Sequence, residues 1–108
     1  MTRFEALRTT CELAEAYIAQ AASETEDYVL IWILGILLDY EDVLDRGRSV
    51  YLDGPETDED AKLSEVNRRM DALRGEIVTL MQRLGKERVT HFLQQRANAT
   101  LQQFTHNL

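Results

Sequence analysis

One run limits what this chain can fold into more than any other. Tyr28-Val-Leu-Ile-Trp-Ile-Leu-Gly-Ile-Leu-Leu38 holds no charged residue, and Gly35 is its only non-hydrophobic member. Wound as a helix at 100° per residue, the run shows two apolar flanks. Val29, Trp32, Ile33, Ile36, Tyr40, Val43 and Leu44 fall on one flank, with the width of a core-facing stripe. Leu30, Ile31, Leu34, Gly35 and Leu38 fall on the other, which turns acidic further along at Glu41, Asp42 and Asp45. A helix that is apolar all round is buried all round. Each Leu or Ile taken out of water contributes roughly 1.5–3 kcal/mol, a large share for a domain stable by only about 5–15 kcal/mol. The second flank therefore needs a cover, either another helix of the chain or a second chain. A bilayer is not that cover: as a helix the run reaches about 16 Å, whereas a span takes roughly 20 residues. Acids also flank both of its ends.

The remainder reads as amphipathic helix. Proline occurs once and glycine five times in 108 residues, and good helix formers dominate, which sets the class as all-α. The first helix is expected over about 2–22, with Phe4, Leu7, Cys11, Ala14, Ile18 and Ala21 at alternating steps of three and four. Ser23 and Glu26 have the spacing of a capping box, so the second helix is expected from about 26 to 52. Asp53-Gly54-Pro55 ends it, and Thr57 or Asp58 offers a cap for a third helix over about 58–84. In that third helix Leu63, Val66, Met70, Leu73, Ile77, Leu80 and Leu84 keep an unbroken three–four alternation, the mark of left-handed helix packing. Gly75 within it costs about 1 kcal/mol against alanine and suggests close packing. Gly85 ends or kinks the third helix. A fourth is expected over about 86–105, with Val89, Phe92, Leu93, Ala97, Leu101 and Phe104 on its apolar side. Residues 1–108 thus make one helical domain: a four-helix, mostly antiparallel bundle with helices two and three as a long central hairpin.

Charge is unevenly spread. Residues 1–60 hold 15 acids and 4 bases, giving −11, while residues 61–108 hold 4 acids and 8 bases, giving +4; the whole chain is −7. The two halves can attract each other within a chain or between chains. The net acidity disfavours nucleic acid and anionic membranes as partners and favours basic surfaces. Arg68, Arg69, Arg74, Arg83, Arg88 and Arg96 lack interleaved exposed aromatics and match the acidic half better than a nucleic-acid groove. Cys11 is the only cysteine, so no disulfide forms within the chain. Glu5, Glu12 and Glu15 interrupt any signal-peptide core, and a cytoplasmic location is expected.

Motifs for chemistry are sparse. Glu12-x-x-Glu15 and Asp39-x-x-Asp42 are acidic pairs on successive helices. In this they resemble the all-α nucleoside-triphosphate pyrophosphohydrolases, whose carboxylate pairs hold Mg²⁺ because hard cations take oxygen ligands. The resemblance covers those four residues, and Asp39 stands where that family has glutamate. It implies an enzyme hydrolysing nucleoside triphosphates. His91 with Glu87 could offer a metal only two ligands. No cofactor is expected. The leading expectation is a non-enzymatic protein–protein interaction module, an adaptor, chaperone or inhibitor. Its partner interface would be Leu30, Ile31, Leu34 and Leu38, rimmed by Glu41, Asp42 and Asp45, and would meet a basic protein surface or a second copy in a homodimer. A homo-oligomeric structural subunit built on the third helix's seam is the alternative from another class.

Overall fold

The computed structural model describes residues 3–52 and 59–106, with side chains over 4–48 and 62–103. Four helices follow in order: α1 (Arg3–Ser23), α2 (Asp27–Leu52), α3 (Glu59–Leu84) and α4 (Lys86–His106), with no strand among the described residues. The chain is an all-α four-helix bundle whose most extensive packing joins α2 to α3. The proposed stop at Asp53-Gly54-Pro55 and the caps at Thr57 and Asp58 lie outside the described residues.

The three–four spacings of α1 and α3 translate directly into burial. Leu7, Cys11, Ala14 and Ala21 of α1 join Val66, Met70, Leu73, Ile77, Leu80 and Leu84 of α3 in one hydrophobic cluster, with Leu30, Ile33, Leu34, Leu37 and Leu44 of α2 between them. α1 and α2 run antiparallel: Tyr17 lies against Trp32 and Tyr40, and Leu7 against Gly47. α2 and α3 do likewise. Arg48 donates to Asn67 Oδ1 at 3.3 Å near one end, and Arg74 donates to Glu41 Oε1 at 2.9 Å further along.

The turn between α1 and α2 is built differently from its sequence pattern. The Ser23–Glu26 capping box does not form, because Ser23 Oγ donates back to the Gln20 carbonyl at 3.2 Å. Glu24 takes over the role. Its Oε1 accepts from the Thr25 and Glu26 amides at 3.0 and 3.1 Å, satisfying donors that a helix start leaves free. From α3, Arg83 donates to the Ala21 carbonyl at 2.8 Å and to the Glu24 carbonyl, capping the negative end of α1.

Gly85 settles the α3–α4 junction. Its φ of 92° is left-handed, a conformation that a side chain disfavours. Its amide donates to the Met81 carbonyl at 3.0 Å and its carbonyl accepts from the Val89 amide at 3.1 Å. One residue thus closes α3 and opens α4, so the chain breaks there instead of kinking. α4 turns back beside α2 and runs parallel to it, with Arg88 against Asp27 and Arg96 against Asp39. Among its described side chains, the apolar ones that pack lie in its first half. Val89 and Phe92 rest on the core, while Leu93, Ala97 and Leu101 stay exposed. Of the apolar stripe expected for the fourth helix, Val89 and Phe92 are therefore used, and the side chain of Phe104 lies outside the described residues. The radius of gyration, 15.9 Å, exceeds the roughly 13 Å of a compact chain this long.

Candidate functional site

The flank expected to meet a partner is instead the inside of the molecule. Leu30 and Leu34 are 1% and 0% exposed, and Ile31 and Leu38 are half-buried against the same core. The cause lies at Gly35. A Cβ there would stand 3.2 Å from Phe92 Cζ, so the missing side chain is what lets Phe92 of α4 settle onto α2. Arg96 then donates to Asp39 Oδ1 at 2.7 Å and to the Gly35 carbonyl at 3.4 Å, with its guanidinium beside the Phe92 ring. The acidic rim is spent in the same way. Glu41 and Asp45 face Arg74 at 2.9 and 3.4 Å, and Asp45 also takes Arg48 at 3.0 Å. Asp42 is exposed and pairs with Arg46 at 3.0 Å. Arginines of α3 and α4 thus pair with acids of α1 and α2 within one chain, at Glu15, Asp27, Asp39, Glu41 and Asp45.

The other flank of α2, expected to face the core, does so only in part. Ile33 and Leu44 are buried, but Trp32 is 57% and Val43 51% exposed, and Tyr28 at the start of the helix is 72% exposed. Val29, Ile36 and Tyr40 are half-buried. Tyr17 of α1 holds the strip together. Its ring meets Trp32 edge-on, with centroids 5.9 Å apart and planes at 81°, and meets Tyr40 at 6.1 Å. Leu13, one turn earlier on α1, is also exposed. From Tyr28 to Val43 the strip runs about 22 Å along α2. Its makers are mostly side chains with an apolar body and a polar tip, which tolerate water on one edge.

A second feature lies between α1 and α3. A cavity of about 270 Å³ is lined by Cys11, Ala14, Ile18, Leu44 and Leu73, with Glu15, Arg69 and Glu76 at its mouth. Arg69 donates to Glu15 Oε1 at 2.7 Å and to Glu65 Oε1 at 3.3 Å. Burial is the strongest single influence and works against the Arg69 charge, yet the hydrogen bond and charge of Glu15, joined by Cys11 and Glu65, together outweigh it and hold the guanidinium pKa above the ordinary arginine value. Burial pushes the Cys11 thiol up, more strongly than Arg69 pulls it down, so at neutral pH it is a protonated core residue and a poor nucleophile.

The four carboxylates of the pyrophosphohydrolase resemblance are not brought together. Glu12 pairs with Arg8, Glu15 with Arg69 of α3, Asp39 with Arg96 of α4, and Asp42 with Arg46. Among the described residues no three acids, histidines or cysteines gather where a metal ion could sit. His91 is exposed. Nor is any described helix long and apolar enough to cross a membrane. What the geometry defines is a helical bundle with several ion pairs between its helices and an aromatic strip partly uncovered. The chain matches no protein-family model, no curated protein and no solved structure.

Proposed function

We propose that the chain is a non-enzymatic docking module, an adaptor, chaperone or inhibitor acting in the cytoplasm, and that its contact surface is the Trp32 flank of α2. One observation carries this reading: Tyr28, Trp32 and Val43 stand exposed along one side of α2, with Trp32 against Tyr17 of α1 and Asp39 exposed among them. Tryptophan and tyrosine are enriched at interface centres, because they offer a large rigid area at small entropic cost. The polar groups closest to forming a reactive site are already engaged in holding helices together, as at Glu15–Arg69 and Asp39–Arg96. A partner with a basic surface gains little from Glu41 and Asp45, since Arg74 holds both. The apolar strip carries the recognition instead.

The test is a Trp32→Asp exchange in the full chain. Trp32 is more than half exposed, and losing its edge-on contact with Tyr17 costs about 0.5–1.5 kcal/mol, so the variant is expected to keep its fold. Complexes that the wild-type chain forms in extracts of its source cells, read by elution mass, are expected to be lost. Retention of every such complex by a folded Trp32→Asp chain contradicts the reading.

A further inference from the structure

α1 and α3 meet through side chains of unequal size. The seam of α1 offers Cys11 and Ala14 where α3 offers Met70 and Leu73, and the two helices do not close over Leu44 of α2. The cavity of about 270 Å³ is what they leave between them. We infer that this cavity is a binding site for a small amphipathic amine. The apolar body would lie among Cys11, Ala14, Ile18, Leu44 and Leu73, with the ammonium group at the mouth beside Glu76.

The inner wall selects the body. Its side chains are apolar, and the backbone groups behind them are taken up by helical hydrogen bonds. A water held there needs two to four polar partners, which such a wall does not supply. An apolar group therefore displaces only poorly held water, and that favours binding. The cavity also exceeds the roughly 150 Å³ that takes up benzene, so a ring with a short chain fits.

The mouth selects the head group. Arg69 is closed to an anion, because its Nε and Nη2 donate to Glu15 at 2.7 and 3.2 Å and its Nη1 to Glu65 at 3.3 Å. Glu76 stands two turns further along α3, about 10 Å away on the same face. It is exposed, and its side chain carries no hydrogen bond or ion pair among the described residues. It also borders the smaller hollow next along the α1–α3 seam, beside Ile18 and Leu80. An uncommitted acid at an apolar mouth complements a cation, whereas a carboxylate ligand would meet like charge. The site shares no residue with the exposed Trp32 strip and stands apart from the docking surface.

Titration of the full chain with phenylpropylamine tests this, read by amide chemical shifts and by iodoacetamide alkylation of Cys11, the only cysteine. Saturable binding is expected, with a dissociation constant on the order of 100 µM. Shifts should centre on residues 11–18 and 69–76, and alkylation of Cys11 should slow. Phenylpropanol, the uncharged twin, should bind about three- to fivefold more weakly, the worth of one exposed charge pair. Phenylpropanoate should be weaker still. Glu76→Gln is expected to bring the amine down to the alcohol. Ala72→Phe, at an exposed position on the rim, should block all three with helicity unchanged. Trp32→Asp should bind the amine as the wild type does. Absence of saturable binding overturns the inference, as do shifts centred on Trp32. Tightest binding by phenylpropanoate overturns it too, since the anchor would then be Arg69. So does a Glu76→Gln chain that still prefers the amine, or a folded Ala72→Phe chain that still binds it.

Discussion

Leu34 and Trp32 lie two residues apart on one helix, and their surroundings differ completely. Leu34 is sealed by the chain's own helices, with Phe92 of α4 pressed against the neighbouring Gly35. Trp32 looks outward, held on one edge by Tyr17. Hydrophobicity does not separate the two flanks, since both are lined by Leu and Ile. Shape and charge do. The buried flank has the small residue that admits another helix, followed by acids that arginines can reach. The open flank has bulky rings that would hold a fourth helix away. Closing a bundle therefore depends on which side lets a backbone come close, more than on which side is greasier.

The sharpest way to break this comparison is to put the same charge on each flank. Leu34→Asp buries an unpaired carboxylate where no water reaches. Truncation of such a leucine alone costs about 2–5 kcal/mol, and the stranded charge adds to that. The variant is expected to be unfolded by circular dichroism at room temperature, whereas Trp32→Asp keeps its helicity. A folded Leu34→Asp chain would mean that the Leu34 side is not the core.

The next largest effect concerns the junction that brings α4 onto the buried flank. Gly85→Ala places a Cβ at a φ of 92°, a cost of roughly 1–2 kcal/mol. Thermal unfolding is expected to fall by about 4–8 °C for each of those kcal/mol in a domain near this size. Amide exchange should quicken first in α4, because its hold on α2 depends on that turn. An unchanged midpoint would show that α4 contributes nothing to the cover.

Much of this architecture is legible in the sequence, and the limits have physical causes. The seams of α1 and α3 can be read because polar residues separate their apolar ones, so the three–four alternation names the inner face. The helix bounds follow closely, with α2 over 27–52 against an expected 26–52 and α3 over 59–84 against 58–84. α2 resists the same method. With both flanks apolar, period alone cannot rank them, and the deciding contacts come from Phe92 and Arg96, some sixty residues away. A usable signal was present: Gly35 marks the flank that a neighbour can approach, and the acids Asp39, Glu41 and Asp45 have counterparts in Arg74 and Arg96. The capping box failed because Glu24, beside Ser23, offers a stronger acceptor to the same amides.

Gly75 gives the smallest effect and sharpens the glycine side of the comparison. Unlike Gly35, it faces open space, since a Cβ built there meets nothing within 4 Å. It is therefore not the close-packing point its place in α3 suggested. Gly75→Ala is expected to stabilise the fold by up to about 1 kcal/mol, raising the denaturant midpoint with an unchanged slope. A destabilised Gly75→Ala chain would point to an unseen neighbour on that face.

Trp32 is the only tryptophan in the chain, so its fluorescence reports on the open flank alone. In dilute, folded protein, an emission maximum close to that of indole in water and ready quenching by acrylamide are expected. Blue, quench-resistant emission from a dilute monomer would contradict the account, because Trp32 would then be inside and the two flanks of α2 would have to trade places.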